Sequence, residues 1–390
     1  QLGAVASVAL QGPDARAEAV AVLRDVLALK PGHGEALAQL EGLGEDPELS
    51  VQVAEILEPL YAATSDWDKL VASLETELEA ADAADTEGRV GLLSRIGETL
   101  LDQLGAADRA FDAYGRALRE DPRSDATGQR LEQIADATDT WGDYVFLLED
   151  IGAGLTDPTL MLAYRTRVAQ VVEDHLDDAA RAQDAWRAVL EIDPDSGLAL
   201  EHLEELFRTG QQWTELDEVY GRRLSVLLAS EPDDEEGADG TAVQVEELRF
   251  SMAVLHEEML EDTPGAIDIY RTVLEADGSN LRAAQALDRL FGAEGRHEEL
   301  SENLNLQLGL VEDDEERRVV QCRLAALLVG HLYRVEDAIA LYGEVLAEDA
   351  GFTDAREALE ALIASHPDHQ LAVAEVLEAA RALTGFQGPA

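Results

Sequence analysis

The sequence predicts an all-α fold, a stack of antiparallel helix pairs, and three observations carry that reading. The first is composition. Apolar residues make up 46% of the chain and aromatics only 5%, with Ala and Leu dominant over β-branched runs, a mix that favours helix over sheet. The second is an internal pattern that returns five times at helical spacing. The third is a stop signal that closes each copy. At 390 residues the chain is roughly two to three times a usual domain, so it holds either several domains or one extended array.

The pattern is an Ala, a large residue four later, a small one three later, and a turn residue five later. It reads Ala19-Leu23-Val26-Pro31, Ala110-Tyr114-Ala117-Pro122, Ala182-Trp186-Val189-Pro194, Ala266-Tyr270-Val273-Gly278 and Ala338-Tyr342-Val345-Ala350. Residues three and four apart share a helix face, so these side chains form one stripe. The small members admit a neighbouring helix closely, and the large one fills the space between turns. Asp121-Pro122 and Asp193-Pro194 mark the ends most clearly. Proline has no amide donor and keeps the residue before it out of the helical region.

This stripe resembles the second helix of a tetratricopeptide (TPR) repeat. The helix before it, Leu92-Leu93-Ser94-Arg95-Ile96-Gly97, is similar to the first. The link between the two is one residue longer than the family's, and two copies end on Gly278 and Ala350 in place of Pro. The resemblance covers about half of each unit well, and it is to the long arrays of the bacterial type. It implies a right-handed α-α superhelix, or solenoid, whose first helices line a concave groove.

The intervening segments repeat as well. A short helix such as 197–207 follows each stop, and the next helix opens on Trp67, Trp141, Trp213 or, in the fourth copy, His297. Marker alanines stand 91, 72, 84 and 72 positions apart (19, 110, 182, 266, 338). A unit of 72 therefore holds four helices, and about 20 are expected in all. The gap of 84 contains a charged stretch, 230–241, without apolar period, expected to be a loop. The gap of 91 contains an added helix near 48–64, and a similar segment returns at 367–383, behind Pro47 and Pro367 respectively. Residues 1–390 read as one continuous array, cut from a longer chain.

The formal net charge is -53, and 27 of the 29 basic residues are Arg, Lys30 and Lys69 being the exceptions. Such acidity argues against nucleic acid phosphates and anionic lipid as partners. It fits either a basic partner protein or a cell with high internal salt, where carboxylate repulsion is screened. No run approaches the ~18 apolar residues of a membrane span. The sequence does not fix the compartment, with cytoplasm and cell envelope both open. The single cysteine, Cys322, can form neither an internal disulfide nor a thiolate metal cluster and reads as a core residue.

No cofactor, metal site or catalytic constellation is expected. His256-Glu257-Glu258 and His297-Glu298-Glu299 lack the second His of a zinc helix. His366 and His369 flank a Pro turn and read as caps. The acidic stretch near Asp233 fails the calcium-loop pattern, since ligand places fall on Gly237 or Ala238. The repeated Trp and Tyr residues read as core. One feature stands out. Fifteen residues before the marker Ala lie Arg95, Arg167, Ser251 and Arg323. By the resemblance, Arg95, Arg167 and Arg323 sit near groove positions that grip peptide carboxylates, and could form a ladder for an acidic peptide. Pairing with a neighbouring Glu is the other reading of the same residues. The functional expectation is a non-catalytic scaffold or adaptor for partner proteins. A self-assembling structural array and the regulatory region of a longer enzyme are the alternatives.

Overall fold

In the computed structural model, residues 13–230 and 235–385 are described. They fold into twenty α-helices with no strand among the described residues. The helices fall into two compact units, Gln1–Ala199 and Leu200–Ala390. The first contains α1 (Pro13–Leu29), α2 (Gly34–Leu43), α3 (Ser50–Thr64), α4 (Trp67–Ala80), α5 (Thr86–Glu98), α6 (Ala107–Glu120), α7 (Asp125–Thr138), α8 (Trp141–Gly154), α9 (Pro158–His175) and α10 (Ala179–Ile192). A helix α11 (Gly197–Thr209) spans the boundary. The second unit continues with α12 (Trp213–Ala229), α13 (Glu235–Glu258), α14 (Thr263–Ala276), α15 (Leu281–Glu294), α16 (His297–Leu310), α17 (Asp314–Gly330), α18 (Val335–Glu348), α19 (Thr353–Ser365) and α20 (Gln370–Gly385). Within each unit a helix packs on its predecessor and its successor, as a stack of pairs requires.

The alanine stripe is the core. Ala110, Tyr114 and Ala117 on α6 are buried, as are Ala182, Trp186 and Val189 on α10, Ala266, Tyr270 and Val273 on α14, and Ala338, Tyr342 and Val345 on α18. Trp186 has no accessible surface, and its indole Nε1 donates to Glu173 at 2.5 Å. The Gly of the first helix earns its place at Gly97, where a Cβ would lie 2.7 Å from the Tyr114 ring.

The stops work through Asp as much as through Pro. Asp121, Asp193, Asp277 and Asp349 all leave the helix at φ between -122° and -134° and ψ near 90°. The last two do so before Gly278 and Ala350. The carboxylates of Asp121, Asp277 and Asp349 accept the amide two residues on, at 2.8–3.1 Å. This side-chain turn competes with the helix and ends it without proline's help. Helix starts use the same chemistry. Asp85, Asp157, Asp178, Asp262 and Asp313 cap their helices by accepting first-turn amides. Before each Trp or His helix, one left-handed residue reverses the chain, at Ser65, Asp139, Gln211 and Gly295.

The charged stretch 230–241 departs from the expected loop. Residues 231–234 lie outside the described residues, and with them Asp233 and Asp234 of the calcium-loop test. From Glu235 the backbone is helical and runs unbroken to Glu258. The physical reason is propensity: Glu and Ala are good helix formers, and an extension of an already nucleated helix needs no apolar stripe of its own. The segments near 48–64 and 367–383 are helical too, as α3 and α20.

Trp186→Ala removes the largest fully buried side chain in the first unit. Its expected cost is about 3–5 kcal/mol, read as a fall in the urea midpoint with the slope unchanged.

Candidate binding surfaces

Three of the four ladder positions resolve into a repeated tie between helices. Arg95 on α5 pairs with Glu58 on α3. Arg167 on α9 meets Glu132 on α7 at 2.5 Å, and Arg323 on α17 forks onto Asp288 on α15 at 2.7 and 2.8 Å. In each case the first helix of one pair holds a carboxylate on the first helix of the pair before it. The carboxylate always stands nine residues before the helix that opens on Trp67, Trp141 or His297. Sequence reading missed these partners, although the register that locates them was visible.

The fourth position explains its own exception. Ser251 turns its hydroxyl back onto the Glu247 carbonyl at 3.0 Å. The carboxylate nine residues before Trp213 is Glu204, and it is retained. Two other arginines take it, Arg223 from α12 and Arg208 one turn along α11. A missing ladder Arg is thus replaced from elsewhere, which is how a structural tie behaves when one partner drifts.

Arg167 also lines the largest of the described cavities, about 590 Å³. It lies over α7 and α9, with the C-terminal end of α6 and with α8 completing the wall. Tyr144 donates to Glu132 at 2.9 Å, so this carboxylate is held from two sides. The Tyr164 hydroxyl donates to the Pro122 carbonyl at 3.0 Å and fixes the other wall. Burial raises the pKa of both phenols above the ordinary tyrosine value, so they remain donors through the physiological range. Gln129 and Arg123 complete a polar fringe around an open hollow.

Beside the Arg95 tie, Glu77 carries a buried oxygen without a hydrogen-bond partner. Burial raises its pKa, with the Glu58 charge adding and the Arg95 charge opposing. The histidines and the thiol are occupied structurally. His256 bridges Asp262 at 2.8 Å and Asp217 at 3.0 Å, and the Asp262 carboxyl is held below its usual value by that bond and by the Gly265 amide. His297 stacks on His331 with centroids 3.8 Å apart, in the place where Trp141 stacks on His175 at 3.7 Å. His366 contacts the Ser365 hydroxyl at 3.0 Å, and His369 faces Glu336 at 3.6 Å. Cys322 packs against the core of the second unit, and burial pushes its thiol up to about 11. Among the described residues no group of three His, Cys, Asp or Glu could hold a metal ion, and no helix is long and apolar enough to cross a membrane.

The stripe on each second helix and the pairwise packing decide the class. The chain is an all-α repeat array of stacked helix pairs. No family model matches the sequence, and no curated protein matches it. Solved TPR structures are similar in kind. YrrB, described as a TPR protein with an unusual peptide-binding site, is 12% identical over 50% of this chain and 90% of its own, with a TM-score of 0.28. The C-terminal part of a TPR repeat-containing protein from Cytophaga hutchinsonii is 14% identical over 68% of this chain and 98% of its own, TM-score 0.31. MamA is 14% identical over 46% of this chain and 92% of its own, TM-score 0.26.

Two variants separate the roles at the ties. Arg323→Ala strips both bonds from Asp288, whose side chain is only 8% exposed; the expected loss is about 1–3 kcal/mol, largely recovered in the Arg323→Ala/Asp288→Ala double variant, as a double-mutant cycle by chemical denaturation will show. Glu77→Gln acts the other way. A carboxyl whose folded pKa is raised disfavours the fold once it ionises, so the substitution raises Tm at pH 7. The advantage shrinks as pH falls through the raised folded pKa and vanishes near pH 3, well below the unfolded pKa, where wild-type Glu77 is neutral in both states.

Proposed function

We propose that this array is a non-catalytic scaffold that holds partner proteins. The observation that supports it most is the hollow over α7 and α9. It is open rather than enclosed, of about 590 Å³, and bounded by two immobilised tyrosines and a polar fringe. That suits side chains of an extended segment better than a reacting small molecule, which needs a closed and water-excluding site. Stacked pairs supply such surfaces repeatedly, and one repeat register runs through both units. The net charge of -53 favours a partner with a basic surface, whose approach it would accelerate.

The experiment is affinity capture from the source lysate across a salt series, read by mass spectrometry. A distinct basic protein that is retained at low salt and released as salt rises is the expected result. Recovery of only further copies of the same chain would instead favour self-assembly.

The ladder arginines carry a second reading. In their ties the side chains of Arg95, Arg167 and Arg323 keep 47%, 40% and 52% of their surface exposed. An acidic peptide could therefore compete with the resident carboxylate for the outer face of each guanidinium. The triple variant Arg95→Gln/Arg167→Gln/Arg323→Gln, checked by circular dichroism, tests this. Loss of a captured acidic partner is expected if the ladder binds, and undiminished capture by the folded variant removes it.

A further inference from the structure

Between α6 and α8, the second helices of successive pairs, lies a separate groove of about 270 Å³, floored by Ile134 and Thr138 of α7. Phe146 stands on its wall with 68% of its surface exposed. The fold does not ask for a ring there. Counted from the Trp or His that opens each helix, the same position is Ala72, Glu218 and Glu302 in the other copies, all exposed.

The equivalent groove between α14 and α16 shows what such a place accepts. There the chain fills it with its own guanidinium groups. Arg271 and Arg296 both pair with Glu299. Both also lie over the Phe291 ring, 5.3 and 5.1 Å from its centroid. In the α6/α8 copy the two arginine positions are Gly115 and Thr140. The acidic positions persist, with Asp143 in the place of Glu299 and Asp112 in that of Asp268. Both line the groove, and neither has an ion-pair partner among the described residues. Arg119 on the rim is already tied to Asp150 at 3.0 Å. Two cations have gone and two carboxylates remain; Phe291 of the sister copy is Ala135 here, and Phe146 supplies a ring from the opposite wall instead.

We propose that the α6/α8 groove receives an arginine side chain from a partner protein, its guanidinium set against Asp112 and Asp143 and over Phe146. An apolar neighbour of that arginine settles on Phe111 and Leu147. Arginine is specified over lysine because its planar group both stacks on a ring and forks onto carboxylates. This deepens the scaffold reading, on which it rests for the partner being a protein, and places the contact on second helices rather than on the ladder face.

The test uses the full chain and a fluorescein-labelled peptide, Gly-Ser-Leu-Arg-Leu-Gly-Ser, with a twin carrying Gln for Arg, read by fluorescence polarisation at about 0.15 M salt. The arginine peptide is expected to bind at least about tenfold more tightly than its twin. Phe146→Ala and Asp143→Asn should each weaken it about three- to tenfold. Gly115→Arg restores an internal guanidinium and should abolish binding. The nearest neighbours of the added Cβ are the side-chain ends of Leu147 and Arg119, at 3.3–3.7 Å, and no backbone atom of another helix lies closer. Should that variant lose its helical circular dichroism, Thr140→Arg makes the same test from the helix entrance. Absence of binding, equal binding of the twin, or undiminished binding by the folded arginine variants overturns the proposal. Lysate capture keeps the two readings apart. A partner held equally by wild type and Gly115→Arg removes this groove and leaves the scaffold standing, whereas no partner on wild type strikes the scaffold while the peptide still decides the groove.

Discussion

Everything in this molecule depends on how closely one helix can approach the next. An alanine at the head of each stripe leaves the neighbouring backbone within packing distance, about 8–10 Å between axes. The aromatic four residues later then fills the space that a row of alanines would leave empty. Ala110, Ala182, Ala266 and Ala338 are all fully enclosed, so any larger side chain at these places has to push a whole helix aside. Because no pair buries its apolar face alone, the closeness of one contact fixes the placement of the next, and the surface positions inherit their spacing from it. The ties, the caps and both grooves are consequences of that spacing.

A chain with 82 acidic and 29 basic residues has to keep its repulsion from opening the stack. Part of the answer is that many acids are employed locally. Aspartates cap the helix starts and end the marker helices, where a carboxylate satisfies backbone donors that would otherwise need water. The few cations are nearly all arginine, and several of them bridge one helix to another. Arg116 forks onto Glu75 at 2.8 and 3.1 Å, Arg89 reaches Glu120 at 2.6 Å, and Arg323 closes on Asp288. Contacts this short outlast screening better than the long-range repulsion among exposed carboxylates, which salt weakens over a Debye length of about 8 Å. Added salt therefore costs the ties little while it relieves the surface, and the same acidity serves a salty interior or a basic partner equally.

The stripe was legible in the sequence because its spacing is the helix period itself, and the burial of Tyr114, Trp186, Tyr270 and Tyr342 follows directly. About twenty helices could be counted for the same reason. The ladder was legible only in half. Arg95, Arg167 and Arg323 were visible as a repeated residue, but their carboxylates lie 35 to 37 positions earlier, and nothing local announces a bond between helices that are not consecutive. The acidic stretch before Thr241 carries no apolar period, yet from Glu235 it is helical. A solvated helical extension shows no such period, since no face of it needs burying. The groove beside Phe146 was invisible for a different reason. It consists of departures from the repeat, and they acquire meaning only when the sister groove shows what they removed.

The two departures on which these surfaces turn, Ser251 and Gly115, are therefore not of one kind. Where Ser251 replaces the tie arginine, Glu204 keeps its charge and gains Arg208 and Arg223, so the molecule repairs the loss internally. A change repaired in this way leaves the local balance of charge intact and asks nothing of a partner. Where Gly115 and Thr140 replace Arg271 and Arg296, the cation on the groove, Arg119, is tied to Asp150 and not to Asp112 or Asp143. Asp112 and Asp143 stay exposed on the groove, and Phe146 adds an apolar face that water solvates poorly. An unrepaired change of that sort disfavours the isolated chain slightly and rewards whatever restores the missing charge. In a repeat array, a departure that the fold compensates belongs to stability, and one that it leaves open belongs to recognition.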